Sequence, residues 1–199
     1  MFTPRKRTRR PNVYAFIDSQ NLNMGTQKVG WKMDWRRFRQ YLREKYNVTK
    51  AYMFIGYVPE FEQMYQQLHE AGYLIVLKPT TDITKQKDEK AEVNDKPDDK
   101  KLIKGNIDAD LVLWTMKEIN NYDKAIIVSG DGDFHGLLEY LQQQNKLLHV
   151  MTPNWQYSQL LKEFDKYLIR LDQLKGQLQY KNHRHNKFTK NQKSNSQTN

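Results

Sequence analysis

Six short apolar runs, separated by segments of helical periodicity, constrain this chain more than any other feature of its sequence. The runs occupy residues 13–17, 51–57, 73–77, 124–128, 147–151 and 167–171. After Asp34, which reads as an N-cap, Trp35, Phe38 and Leu42 recur at helical spacing. Phe61, Met64, Tyr65 and Leu68 do the same ahead of Gly72, a suitable helix terminator. Ile107, Leu111, Trp114 and Ile119 mark a helix over about 107–120, Phe134, Leu137, Leu138 and Leu141 mark the next, and residues 158–164 a short one. Strands that alternate with helices are joined by crossovers, so they run parallel and are covered on both faces. The expected class is α/β: one domain, a mainly parallel sheet, helices on both sides.

Composition narrows the chemistry. At 199 residues the chain is long enough to bury a core without disulfides or a structural metal. It has no cysteine, which excludes a disulfide framework, a thiolate zinc site and a cysteine nucleophile. Its apolar runs fall far short of the roughly 18 residues of a membrane span. No apolar segment follows the basic N-terminal residues as in a secretory signal, so the cytoplasm is the expected compartment.

The formal charge of +10 is concentrated at the two ends. Arg5, Lys6, Arg7, Arg9 and Arg10 stand without an acid in residues 1–11. Lys175, Lys181, Arg184, Lys187, Lys190 and Lys193 do so in residues 175–199. The sequence thus divides into a basic arm at 1–10, a nearly neutral body at 11–174 and a basic tail at 175–199. From residue 177 the tail has little apolar surface to offset its ordering entropy, so disorder is expected there. Cationic arms on a neutral body suit a polyanion, whose phosphates attract them without a defined fold. Within the body, residues 80–104 interrupt the alternation with a dense mixture of Lys and acids. They read as a charged insertion, either a solvated surface loop or a flap beside a site.

In a parallel sheet, sites form where the carboxyl ends of the strands meet the helices that follow. That edge collects acids here. Asp18 closes the first run, Asp131 and Asp133 follow the run at 124–128, and Asp108 and Asp110 open the helix after the insertion. An acid at a helix start also reads as a cap, and Asp133, Asp108 and Asp110 all fit that; Asp18, ending a strand, fits it less well. Convergence adds a different consideration. Two carboxylates about 4 Å apart repel by roughly 4 kcal/mol at an effective dielectric of 20. Several together would consume much of a typical stability of about 5–15 kcal/mol. Either they lie apart or a divalent cation neutralises them, and all-oxygen ligation selects Mg²⁺ or Mn²⁺. Asp108 and Asp110 lie about 200° apart around a helix, so they cannot both face such a site.

The segments Tyr14-Ala15-Phe16-Ile17-Asp18-Ser19-Gln20-Asn21, Lys104-Gly105-Asn106-Ile107-Asp108-Ala109-Asp110 and Ser129-Gly130-Asp131-Gly132-Asp133-Phe134 resemble, in order, the three motifs of NYN domains. The resemblance covers about residues 11–172 and lies nearest the bacterial LabA-like branch. It implies a PIN-like Rossmannoid fold and a Mg²⁺- or Mn²⁺-dependent ribonuclease acting on single-stranded RNA. It further implies metal ligands Asp18, Asp108 and Asp131, an auxiliary catalytic acid Asp133, and support for metal or substrate from Asn21, Ser129 and Lys104. The chain departs from the pattern at Ser19 and Gln20, where members often have Gly and an acid. It departs again at Trp114, where many carry a further acid.

Other features read less specifically. His183 and His185 have metal-like spacing inside a polar tail. Ser129 and His135 lack the third member of a triad. Trp31, Trp35, Tyr57 and Trp155 suit either base stacking or packing, and Arg36, Arg37 and Arg39 either a cationic track or a solvated helix face. A binding module of the same fold, holding RNA or a protein without turnover, is the competing expectation.

Overall fold

The computed structural model describes residues 9–78 and 107–181. Six strands form one all-parallel sheet: β1 (Val13–Asp18), β2 (Val48–Gly56), β3 (Leu74–Lys78), β4 (Lys124–Val128), β5 (Leu147–Thr152) and β6 (Leu168–Arg170). Their order across the sheet is β3-β2-β1-β4-β5-β6. The chain winds outward from β1 in one direction, returns to the centre, and winds outward from β4 in the other. The crevice between the carboxyl ends of β1 and β4 is therefore the topological switch point, where folds of this kind bind ligands.

Alternation along the central strands divides the core into two layers. Val13, Ala15 and Ile17 face one side with Ala51, Met53, Ile126 and Val128. That layer is covered by α1 (Ser19–Lys28), α2 (Trp35–Tyr46) and α3 (Glu62–Glu70), through Leu22, Phe38, Leu42, Tyr65 and Leu68. Tyr14 and Phe16 face the other side with Tyr52, Phe54, Ala125 and Ile127. There they meet α4 (Ile107–Lys117), α5 (His135–Gln143) and the 3₁₀ segment Gln159–Tyr167. Asp18 continues the Tyr14–Phe16 phase, which aims it toward the layer of α4, the helix carrying Asp108.

The expected α/β architecture holds, with several local differences. No helix was expected directly after the first strand, yet α1 begins at Ser19. Its sequence is mostly polar and buries only Leu22 and Thr26, so it carries almost no apolar stripe. The α3 face is narrower than its apolar residues suggest: Tyr65 and Leu68 are buried, whereas Phe61 and Met64 are exposed. Residues 175–180, assigned above to the tail, join the body as a short helix α6 (Lys175–Leu178) and a backbone strap. Leu178 is buried and its carbonyl accepts from Asp34 N at 2.8 Å, while Tyr180 N donates to Lys32 O at 2.9 Å. One well-placed leucine outweighs the polar composition around it. The insertion at 80–104, residues 1–8 of the basic arm, and 182–199, including His183 and His185, lie outside the described residues.

Candidate functional site

The site is built where β1 passes into α1 without an intervening loop. Asp18 is at once the last residue of β1 and the N-cap of α1, accepting from Asn21 N at 3.0 Å through Oδ1. Capping therefore does explain part of Asp18, contrary to the expectation above, because strand and helix share that residue. Its second oxygen has another partner: Ser129 Oγ donates to Oδ2 at 3.2 Å from the end of β4. Ser129 Oγ also accepts from Asp131 N at 3.2 Å, and Asn21 Oδ1 accepts from Gly130 N at 2.8 Å. Asn21 and Ser129 thus clasp the ends of β1 and β4 across the switch point. Asp131 caps the 3₁₀ turn Gly132–Phe134, accepting from Asp133 N at 3.1 Å. That turn leaves Asp133 exposed. Gly132 is buried against Ser158, where an added Cβ would overlap the serine side chain.

Asp18 is buried, and burial raises its carboxyl above the ordinary value. The bonds from Asn21 and Ser129 pull in the opposite direction, while the negative charges of Asp108 and Asp131 raise it further. Asp108 and Asp131 each stand near enough to Asp18 for their charges to act on it. The structure separates Asp108 from Asp110, which forms an ion pair with Lys78 Nζ at 3.1 Å, at the end of β3. Among the described residues, no three acid or histidine side chains gather closely enough to hold a metal ion. In kind, the donors suit a hard divalent cation: all are oxygens, and one buried carboxylate is destabilised by two neighbouring negative charges. Lys104 lies outside the described residues.

Several of the remaining candidates have structural partners. His135 pairs with Glu163 and packs against Phe164, and Ser129 bonds only within the clasp, so no triad forms. Trp114 is half-buried against Tyr52, with ring centroids 5.4 Å apart. Trp31 is buried, and Trp35 packs edge-on against Tyr73. Tyr57 and Trp155 are exposed just beyond the carboxyl ends of β2 and β5. Arg39 donates to the carbonyls of Gly72, Val48 and Thr49, at the opposite edge of the sheet from the acids. Arg37 pairs with Asp34, and Arg36 reaches Glu70 at only 3.9 Å with both side chains exposed.

Sequence reasoning passed over Asn154. This buried residue follows β5, donates from Nδ2 to Gly25 O at 2.7 Å and accepts from Gln156 N at 2.6 Å. Its only sequence signal is position: a Pro-Asn step directly after an apolar strand, on the edge that holds the acids.

A doubly wound parallel sheet with acids from three separate segments near its switch point is the arrangement expected of the PIN-like family. The chain belongs to the NYN domain family, whose profile matches residues 12–172. It is 27% identical over 165 residues to the low amplitude and bright protein LabA of Synechococcus elongatus, spanning 80% of this chain and 84% of that protein. A crystal structure of a protein of unknown function from Vibrio parahaemolyticus shares the fold, with a TM-score of 0.62 at 23% identity. That likeness covers 86% of this chain and 97% of the other. No helix among the described residues is long and apolar enough to cross a membrane.

Proposed function

We propose that this NYN domain is a metal-dependent endoribonuclease that hydrolyses phosphodiester bonds of single-stranded RNA in the cytoplasm. The observation that carries the reading is the buried Asp18 at the switch point, with the charges of Asp108 and Asp131 acting on it. Asp18, Asp108 and Asp131 would hold Mg²⁺ or Mn²⁺, which when bound supplies an acidified water and a counter-charge for the scissile phosphate. Asn21 and Ser129 fix where Asp18 and Asp131 stand by tying β1 to β4. Asp133, exposed within the turn that Asp131 caps, is free to meet substrate as the auxiliary acid. Lys104 would add substrate support from the segment preceding α4.

A second reading has its own support. The described acids are not gathered into a three-ligand cage, and Trp114 packs on an aromatic face where many family members have an acid. Both favour a domain that holds RNA without cutting it. Cleavage of end-labelled single-stranded RNA with Mn²⁺, Mg²⁺ or chelator, for wild type beside Asp131→Asn, separates the two. Internal products that need the ion and vanish in the variant support the nuclease. RNA that binds and stays whole with every ion supports the binding module.

A further inference from the structure

At the clasp, Asn21 accepts from Gly130 N through Oδ1, which leaves its amide N–H groups without a described partner. From there a groove of about 190 Å³ runs between α1 and the loop after β5. Asn21, Met24, Gly25 and Lys28 form its α1 wall. Their spacing is that of one helix face, and it spans about 10 Å from Asn21 to Lys28. On the opposite wall Pro153 abuts Gly25, where a Cβ would overlap the proline ring, and Asn154 spends its amide on Gly25 and Gln156. The donors that α1 leaves to a ligand are the Asn21 amide and the exposed Lys28 ammonium.

The C-terminal strap continues this line of donors. Met33 and Gln179 form an antiparallel bridge, flanked by the bonds from Asp34 N to Leu178 O and from Tyr180 N to Lys32 O. In that register Lys181 lies opposite Trp31, so the strap runs back toward the end of α1, where Lys28 stands. Lys32 and Lys181 are exposed, although Trp31 and Met33 on either side of Lys32 are buried. Lys28, Lys32 and Lys181 make no hydrogen bond or ion pair with any described residue. The acids of the adjoining segments, Asp34 and Asp172, are held by Arg37 and Arg170. The other basic end of the chain meets the fold elsewhere. Arg9 and Arg10 precede Pro11, whose carbonyl accepts from Asn47 Nδ2 at 3.1 Å, and Asn47 N donates to Arg43 O at 3.0 Å. These three arginines lie at the amino edge of the sheet, about 20 Å from Asp18 along β1.

We infer that a single strand of RNA leaves the acids along α1, its phosphates passing from the Asn21 amide to Lys28 and then to Lys32 and Lys181. The inference rests on RNA being what the acids act on. A polyanion with one phosphate at the acids meets unopposed donors when it leaves by this groove. Contacts of this kind hold the backbone and read no base, so the strand is positioned without a sequence requirement. Of the two basic ends, the C-terminal one joins the folded body on this path and the N-terminal one does not. The two are therefore unequal partners for a strand bound at the site.

The test is fluorescence anisotropy of a short labelled single-stranded oligoribonucleotide on the full chain, across a salt series and in chelator so that nothing is cut. Each phosphate contact contributes about −0.7 to the slope of log K against log salt. Lys28→Met, Lys32→Met and Lys181→Met combined should therefore flatten the slope by about 2. Arg9→Met, Arg10→Met and Arg43→Met combined remove the same charge from the amino edge and should leave the slope as in wild type. All six side chains are exposed, so both triple variants should keep the wild-type Tm. A neutral methylphosphonate, moved one position at a time along the RNA, should reveal a position whose effect is not additive with Lys28→Met. An unchanged slope in the first triple variant, equal flattening in both, or the absence of a coupled position overturns the path even where RNA is cut. A flattened slope and a coupled position in a protein that cuts nothing leave the path standing, and the nuclease reading falls. Wild type that binds no RNA overturns both.

Discussion

Asp18 serves two masters, the helix it caps and the acids that crowd it, and its substitution can separate them. Asparagine caps a helix about as well as aspartate, so Asp18→Asn retains the bond from Asn21 N and keeps α1 anchored. It removes a buried charge that Asp108 and Asp131 oppose. In chelator the variant should therefore melt at or above wild type. Mn²⁺ should then raise the wild-type Tm and raise that of the variant less, because a ligand of the native state stabilises by mass action. Equal Mn²⁺ shifts in thermal scans would remove Asp18 from the proposed metal site. Gly132→Ala should show the opposite pattern. Its added methyl meets Ser158, and overpacking of this kind costs about 1–3 kcal/mol, readable as a lower urea midpoint. At this scale the sequence was legible in position: Asp18 closes β1 and Asp131 follows β4 on one edge of the sheet, as read. It was not legible where geometry alone matters. Nothing in its neighbours tells that Asn154 braces Gly25, since those residues are 129 apart in sequence.

Among the elements, those with a strong apolar period were legible and those without one were not. The strand at 124–128 and the Asp34 cap of α2 appear as read, because burial on both faces and a side-chain cap leave plain signatures. The polar helix α1 escaped because its position is fixed by the Asp18 cap and by contact with Pro153 rather than by an apolar face. The C-terminal strap escaped because a single residue, Leu178, supplies its anchor. Leu178→Ala should accordingly cost about 2–5 kcal/mol, the range for truncating a buried leucine, and lower the urea midpoint without abolishing the fold. On β5, His149 gives a pH test. Burial lowers its pKa most, the nearby Lys45 charge lowers it further, and its bond with Tyr167 O opposes both. The unfolded chain takes up this proton first, from about pH 6.5 downward, so stability is lost as pH falls from there through the lower folded value. His149→Gln should lose less stability than wild type between pH 8 and 5 in denaturant titrations. An equal loss would assign the acid sensitivity to other groups.

For the molecule as a whole, charge and chemistry occupy different parts of the chain. The acids sit at the switch point of a nearly neutral body, and eleven Lys and Arg lie in the two terminal segments of the sequence. Lys175 and Lys181 fall within the described structure, so a truncation at 174 would remove Leu178 with them and confuse lost charge with lost packing. The cleaner comparison keeps the full length and replaces the eleven side chains with Gln. On single-stranded RNA each neutralised phosphate contributes about −0.7 to the slope of log K against log salt. If half of the eleven charges engage, the substituted chain should show a slope shallower by roughly 3–4. Its apparent KM near physiological salt should rise, while kcat at saturating RNA should change little, because Asp18, Asp108 and Asp131 are untouched. Anisotropy across a salt series, paired with initial rates, measures both quantities. Equal slopes would leave the terminal charges without a part in RNA binding. A fall in kcat at saturation would place at least one of them at the site itself, with Lys181 and Arg10, at the margins of the folded body, the first to restore singly.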